Sequence, residues 1–328
     1  MFKNVMVYRI GEGWRPSLAD AEQALQAARF VECGATQDKS VGWAEPRGQA
    51  HGPLLESVAG HWIAKLVIES KAVPASVVRR KLEGQVAEIE AATGRKPGKK
   101  EKRALQDEIL LSLLPQAFAR QASVWVWFDW SQQRLVLNAG SQGKADEAVS
   151  ALLKALPGLN LGLLQTATSP QAAMAEWLLA PSADDWPKDF SVERECTLKA
   201  TGEDAASIRY VRHPLANDEV RKHVSEGKLP TQLALSWDGQ VAFVLTETLQ
   251  LKKIQFLDGV MDAQGAPSDE DRFDADVALA TGLLSPLLAQ LVEALGGEQA
   301  WGAAPAAPDA APASPALAVT TADDAPPF

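Results

Sequence analysis

The stretch from Pro74 to Arg120 constrains the fold most, because it contains two narrow apolar stripes at helical spacing. The first stripe is Val78, Leu82, Val86 and Ile89, and the second is Leu105, Ile109 and Leu113. Gly94 suits the left-handed position that closes a helix, and Pro115 ends the second helix because proline lacks a backbone donor. We predict a helical hairpin over residues 74–120, named here the basic hairpin for its charge.

The basic hairpin is charged oppositely to the chain that carries it. Between Lys71 and Arg103 there are ten basic and four acidic residues, a net charge of +6, whereas the whole chain of 328 residues carries −10. Six of the basic residues share residues 95–103 with one acid, Glu101. A concentrated positive surface on an acidic protein predicts a negatively charged partner, and nucleic acid is the partner we favour. The candidate DNA-binding residues here are Arg79, Lys81, Arg95, Lys96, Lys99, Lys100, Lys102 and Arg103. A hairpin that is merely solvated is the alternative.

A second, smaller set of basic residues follows in the C-terminal half. Its candidate DNA-binding members are Arg209, Arg212, His213, Lys222 and Lys228. Acidic residues are interspersed among them, so a scattered surface without function is equally consistent with the sequence. No residue in either set is placed for reading bases, so we expect contacts to phosphates and weak sequence selectivity.

The other segments predict an α+β fold with antiparallel sheets, packed helices and the basic hairpin as an insertion. Strands are predicted at residues 2–10, 61–69, 124–130, 134–137, 159–165, 193–200, 207–212, 232–237, 241–245 and 251–257. Helices are predicted at residues 17–30, with Ser17 as the cap, and at 144–156, 169–179, 217–226 and 274–295, and residues 34–53 are predicted to be loops. Trp125, Trp127 and Trp130 indicate a strand covered on both faces, with base stacking as the alternative.

The chain is predicted to form four regions. They are a central α+β domain of residues 1–73 and 121–180, the inserted hairpin tip of residues 74–120, a second α+β (base) domain of residues 181–301, and a tail of residues 302–328. A Pro/Asp-rich break at residues 181–187 marks the second boundary. The tail is almost all Ala, Pro, Ser, Thr and Asp, which predicts disorder because such residues cannot bury a core.

Signals of catalysis are weak. The four histidines form no metal-binding pair, no nucleophile motif is present, and Cys33 and Cys196 stand far apart. Asp274 and Asp276, with Asp269 and Asp271 nearby, could hold a divalent ion in a nuclease, although capping of a helix explains them more simply. We therefore predict no catalytic residues, no metal and no cofactor. A metal-dependent nuclease and a scaffold that binds an acidic protein through the hairpin are the alternatives.

The predicted compartment is the cytoplasm. No apolar run approaches the roughly 18 residues that a membrane span requires, and the N-terminal segment resembles a strand rather than a signal peptide. We expect no association with a membrane.

Several segments, taken in order, resemble the bacterial recombination-associated protein family RdgC. They are residues 2–9 (FKNVMVYR), 107–118 (DEILLSLLPQAF), 227–228 with 233–235, 272–276 (RFDAD) with 281–282, and 293–298 (EALGGE). Each segment is weak alone, but together they extend from Phe2 to Glu298.

The resemblance implies a ring-shaped homodimer that encircles double-stranded DNA without sequence preference. It further implies a non-catalytic protein of the nucleoid that restrains RecA-promoted recombination. In such a ring the hairpins of two subunits meet at a gate, to which Phe118 and Arg120 are assigned by similarity. Arg209, Arg212 and His213 match a segment that lines the hole of the ring.

The end of the tail has a separate resemblance. Asp323, Asp324, Pro327 and Phe328 are similar to the acidic, Pro-Phe-terminated tip with which bacterial single-stranded-DNA-binding proteins recruit repair enzymes. Two acids with a terminal aromatic ring and carboxylate form a compact ligand for a basic pocket. We expect the tail to bind a repair enzyme, and a tail that serves solubility alone is the alternative.

Overall fold

The computed structural model describes residues 1–201, 206–257 and 269–300, with side chains from Arg272 onward in the last range. The strands are β1 Met6–Ile10, β2 Lys39–Ala44, β3 Leu55–Val58, β4 His61–Lys71, β5 Ala119–Asp129, β6 Arg134–Leu137, β7 Leu161–Leu163, β8 Phe190–Ala200, β9 Ser207–Val211, β10 Lys228–Trp237, β11 Val241–Thr246 and β12 Leu251–Phe256. The helices are α1 Leu18–Gln26, α2 Ala75–Thr93, α3 Lys99–Leu113, α4 Gln142–Ala155, α5 Pro170–Leu179, α6 Asp218–Ser225 and α7 Asp269–Ala294. The predicted α+β class with antiparallel sheets is confirmed.

The first sheet has the strand order β2-β4-β5-β6-β1-β7, and β3 also pairs with β4. Its longest ladder joins β4 to β5 from Trp62 opposite Phe128 to Lys71 opposite Ala119. Helices α1 and α4 cover one face, where Ala21, Leu25, Ala145, Ala148 and Leu152 meet the inward side chains of the strands. The alternation of side chains along each strand supplies this apolar face.

Strand β2 lies in a segment predicted to be loop, so that prediction was wrong for residues 39–44. The misleading residue is Gly42, which is typical of loops. A Cβ atom at Gly42 would lie 2.4 Å from the Cα atom of Phe30, so glycine is required here for a close backbone approach.

The start of α1 is as predicted, whereas its end is not. Ser17 caps the helix by accepting a hydrogen bond from the N–H of Asp20 at 3.1 Å. The helix ends at Gln26 and not at residue 30, because the next residues pair with β2 instead. The N–H of Phe30 donates to the Trp43 carbonyl at 2.8 Å, and the N–H of Trp43 donates to the Ala28 carbonyl at 2.9 Å.

The second sheet has the strand order β12-β11-β10-β8-β9. A continuous core joins it to the first sheet and includes Val7, Ile63 and Trp127 of the first sheet, Leu233 and Phe243 of the second, and Leu284, Leu287 and Leu291 of α7. An antiparallel bridge between Val5 and Leu251 also connects the sheets. The predicted boundary at residue 181 therefore falls between sheets that share one core, and the domain division stays a prediction.

Helix α7 is long and apolar enough to cross a membrane by length and composition, from Arg272 to Ala294. The sequence predicted a helix here but no membrane span, because Pro286 and small polar residues interrupt its apolar residues. Leu284, Leu287 and Leu291 lie in the core between the sheets. Packing against protein accounts for the apolar character of this helix.

The tryptophans of the β5–β6 hairpin are packed against protein. Trp127 is fully buried and contacts Phe2 with 5.7 Å between ring centroids. Trp125 lies 6.3 Å from Phe273, and Trp130 stacks on Phe128 at 5.8 Å. These contacts agree with the interpretation as a covered strand.

Candidate nucleic-acid interface

The basic hairpin consists of α2 and α3. Gly94 closes α2 in the left-handed conformation, with φ +71°, and its N–H donates to the Glu90 carbonyl at 2.8 Å. Helix α3 begins after Gly98, whose N–H donates to the Glu101 carboxylate at 3.4 Å. The single acid of the basic tip therefore acts at a helix N-terminus, where a negative charge is stabilising.

The two helices pack through a small core of their own. Val78 near the start of α2 contacts Ile109 and Leu113 near the end of α3, and all three are buried. Contact between opposite ends of successive helices requires an antiparallel pair. The predicted stripes are confirmed at this end, whereas Val86 and Ile89 remain half-buried, so the packing loosens toward the tip.

The root of the basic hairpin is continuous with the long β4–β5 ladder. Lys71 pairs with Ala119 and Ser70 with Arg120, immediately before and after the hairpin. Glu69 strengthens this root, because its carboxylate accepts hydrogen bonds from the Gln121 side chain and from the Cys33 N–H, both at 2.7 Å. The hydrogen bond from Gln121, followed by that from Cys33, lowers the pKa of Glu69.

The cations of the tip are exposed, apart from Lys102, which is half-buried. Arg95 forms an ion pair with Glu101 at 3.1 Å, and Lys96 forms one with Glu90 at 3.7 Å. Exposed pairs of this kind are weak, so they leave the cations available to another anion. In the described part of the chain no ion pair is formed by Arg79, Lys81, Lys99, Lys100, Lys102 or Arg103. The tip therefore concentrates positive charge at the end of a helical pair whose core lies near its root.

The second basic set is divided between the two faces of the second sheet. Arg209 on β9 is 62% exposed in its side chain and donates to Glu195 at 3.1 Å. The neighbouring Tyr210 points the opposite way and donates to Glu219 at the start of α6 at 3.1 Å. Helix α6 therefore covers the face of the second sheet opposite Arg209. We name the face under α6 the inner face and the face that carries Arg209 the outer face.

Other members of the second set belong to the inner side or to the strand end. Lys222 and Lys228 surround Glu226 at 3.9 and 3.4 Å. His213 is half-buried with its ring 5.2 Å from Tyr210, and Arg212 is exposed in the left-handed conformation, with φ +56°. The structure thus separates Lys222 and Lys228 from Arg209, because adjacent strand residues face opposite ways.

Lys253 on β12 joins Arg209 on the outer face and was missed by sequence reasoning. Its ammonium group donates to both oxygens of Glu195, at 2.7 and 2.9 Å. Lys253 also has φ +53°, in a strand with a register shift. Its position in the sequence, 58 residues from Glu195, gives no signal of this proximity.

Phe118 and Arg120, assigned to a gate by similarity, follow α3 at the start of β5. The Phe118 side chain is 90% exposed, and Arg120 is exposed as well. Both side chains are therefore accessible to another molecule at the root of the basic hairpin.

Of the two acids considered for a nuclease whose side chains the structure describes, Asp274 has a structural partner and Asp276 is exposed. Asp274 accepts a hydrogen bond from Arg47 at 2.6 Å, and Arg47 also pairs with Glu56 at 3.0 Å. Within the described residues there is no group of three or more His, Cys, Asp or Glu side chains that could hold a metal ion. The side chains of Asp269 and Asp271, and the tail with Asp323, Asp324, Pro327 and Phe328, lie outside the described residues.

Known proteins are similar to this chain over most of its length. A family model described as "Putative exonuclease, RdgC" matches residues 1–298. The "Recombination-associated protein RdgC" of Dechloromonas aromatica is 40% identical over 302 residues, which cover 90% of this chain and 98% of that protein. The proteins of that name from Janthinobacterium sp. (strain Marseille) and Bordetella pertussis are 40% and 37% identical, covering 90% and 91% of this chain and 98% and 99% of theirs.

The match includes the basic hairpin, both sheets and the residues through Glu298 that follow α7. It confirms the resemblance found in the sequence. The chain belongs to the RdgC family of recombination-associated proteins.

Proposed function

We propose that this protein binds double-stranded DNA without sequence preference through the tip of its basic hairpin. The observation that carries the proposal is the exposed group of cations between Arg95 and Arg103, supported by a separate helical core and rooted in a long ladder. Lysine and arginine displace counterions from DNA, and this term is independent of sequence. The acidic remainder of the chain repels DNA from other faces.

The arrangement proposed is a homodimer that closes around the duplex. Phe118 stands 90% exposed beside the hairpin root, and burying this ring against its counterpart would favour contact between two hairpins. A symmetric dimer that makes a second contact elsewhere forms a closed ring. Arg209 and Lys253, on the outer face of the second sheet, would supply further phosphate contacts inside it.

The role that follows is restraint of RecA-promoted recombination by occupation of duplex DNA, in the cytoplasm and at the nucleoid. The relatives carry a recombination-associated name, which supports this direction. The protein acts without catalysis in this proposal. The family description names an exonuclease, and the Arg47–Asp274 ion pair favours a structural role for that acid.

The test is incubation of the protein with labelled linear duplex DNA and magnesium, followed by measurement of both binding and DNA length. Bound, intact DNA of any sequence is the expected result. If the wild-type protein shortens the DNA and the Asp274→Ala variant does not, the protein is a nuclease and the proposal is wrong. Absence of DNA binding at physiological salt, with an acidic protein retained instead, would favour the scaffold.

We further propose, from the sequence of the tail, that its acidic Pro-Phe end binds a repair enzyme. A peptide of residues 320–328 should displace the tip of a single-stranded-DNA-binding protein from an exonuclease that recognises it. The same peptide with Phe328→Ala is the control, because it keeps both acids. No displacement by the unaltered peptide would refute this binding role.

A further inference from the structure

Helix α5 has an apolar face that the fold leaves uncovered. Ala173, Met174, Trp177 and Leu178 are buried in the core. On the other side Ala172, Ala175 and Leu179 recur at helical spacing. Ala172 and Leu179 are exposed, Leu179 at 42%, and Ala175 between them is half-buried against the core. Gln171 and Glu176 are the polar side chains in this helix, which is therefore apolar nearly all round. A helix of that composition is normally buried on all sides.

This second face of α5 forms one wall of a groove of about 1770 Å³. The loop of residues 181–189, the α6–β10 junction and the end of α7 complete the groove, contributing Trp186, Leu229 and Ala294 among others. Small-molecule pockets measure about 300–1,000 Å³. The groove therefore has the size of a site for a segment of polypeptide.

The rim of the groove determines the charge of its occupant. Its carboxylates are Glu176, Asp185, Asp189, Glu226 and Glu293, and among the described lining residues Lys188 is the one basic side chain. Neighbouring cations offset Glu226, since Lys228 lies 3.4 Å from it. The other carboxylates leave the rim strongly negative. Two copies of this groove placed face to face would oppose like charges, which is costly.

We propose that the groove binds a short amphipathic helix of another protein, with apolar side chains on one face and lysine or arginine beside them. Such a helix would lay its apolar face on Ala172, Ala175 and Leu179, and its cations would meet Glu176 and Glu293. The small alanines permit close approach of the two helices. This site lies on different elements from the basic hairpin, so the proposal does not rest on DNA binding by the hairpin.

The experiment uses the full chain and a fluorescent synthetic helix of about five turns, with leucine at i, i+3, i+4 and i+7 and lysine elsewhere. A peptide of the same composition, with its leucines distributed around the helix, is the control. Fluorescence anisotropy should show about tenfold tighter binding of the amphipathic peptide. Leu179→Lys and the pair Glu176→Lys with Glu293→Lys should each remove this preference.

Matched variants separate the groove from general surface charge. Leu153→Lys changes a leucine of similar exposure, 45%, on α4, and Glu12→Lys changes an acid that is 94% exposed. Both should leave peptide binding unchanged, as should the double variant Lys99→Ala with Lys100→Ala. Equal binding of the two peptides, or none, would overturn the proposal. A change of oligomeric mass in Leu179→Lys would also overturn it, by identifying the groove as an interface between copies of this chain.

Discussion

Lys253 donates to both carboxylate oxygens of Glu195, at 2.7 and 2.9 Å, although β10 and β11 lie between their strands. Arg209 donates to the same carboxylate at 3.1 Å. One acid thus holds two exposed cations together on the outer face of the second sheet. Phosphates of DNA could become further partners of either cation, because the side chains of Arg209 and Lys253 are 62% and 53% exposed.

Glu195 gives the protein a defined dependence of stability on pH. Its pKa is lowered from the ordinary 4.5, first by the hydrogen bond from Lys253 and, against desolvation, also by Arg209. A lowered pKa in the folded state adds stability above the ordinary pKa, and this stability is lost as pH falls through the folded-state value. Wild type should therefore exceed Glu195→Gln in unfolding free energy near neutral pH. The difference should begin to shrink below pH 4.5 and disappear once the pH falls below the lowered pKa of the folded state.

Denaturant titrations of wild type and Glu195→Gln, from neutral pH to acid, measure the two unfolding free energies. Glu12→Gln is the control, since its side chain is 94% exposed and should give no such difference. A difference for Glu195→Gln that persists unchanged in acid would show that packing, not charge, stabilises the wild type.

Removal of cations from the tip should weaken binding to all DNA sequences alike. With roughly 6–10 phosphate contacts from two hairpins, affinity should fall by about 10³–10⁵ between 50 and 200 mM salt. Lys99→Ala with Lys100→Ala should reduce the slope of log affinity against log salt by about 0.9 for each phosphate that the variant no longer neutralises. Equilibrium titrations on two unrelated duplexes measure this slope.

Lys144→Ala with Lys154→Ala is the matched control, because it removes the same charge from α4. It should retain the wild-type slope. If the Lys99 and Lys100 variant loses affinity for one duplex and keeps it for the other, the tip reads bases and the account of phosphate binding is wrong.

The small core of the basic hairpin should control the order of the hairpin independently of the sheets. Ile109 is 2% exposed, and replacement of a buried isoleucine by alanine costs about 2–5 kcal/mol. Ile109→Ala should therefore accelerate amide hydrogen exchange in α2 and α3 and leave β4 and β5 protected. Leu111→Ala should have little effect, because Leu111 is 52% exposed. Equal loss of protection in the sheets would show that hairpin and sheets unfold as one unit.

Phe118 should affect association without affecting folding. Its ring is 90% exposed, so Phe118→Ala removes little packing within the subunit and should leave the melting temperature unchanged. A weaker interface between two hairpins should instead shorten the residence time on covalently closed DNA. Single-molecule dwell times measure this effect. Unchanged dwell times would exclude Phe118 from the gate.

The sequence predicted most of this architecture where short-range signals exist. Some signals act within one or two helical turns, as at Ser17, Gly94 and the stripe through Ile109. Such local signals can be interpreted from the sequence without knowledge of the tertiary fold. The opposite holds for β2, where Gly42 is explained by the approach of Phe30 from elsewhere. Lys253 was missed for the same reason, because its proximity to Glu195 arises from the tertiary fold. Lys222 was grouped with Arg209 because they are near in sequence, although they lie on opposite sides of a sheet.

Encirclement is the central claim, and retention on closed DNA tests it most directly. The protein would be loaded onto a covalently closed circular duplex and onto the same duplex made linear, and each would be challenged with high salt in the presence of magnesium. We predict that the protein stays on the intact circle and slides off the linear ends. Equal release from both forms would contradict the claim and leave surface binding by the hairpin, and degraded DNA would contradict it in favour of a nuclease.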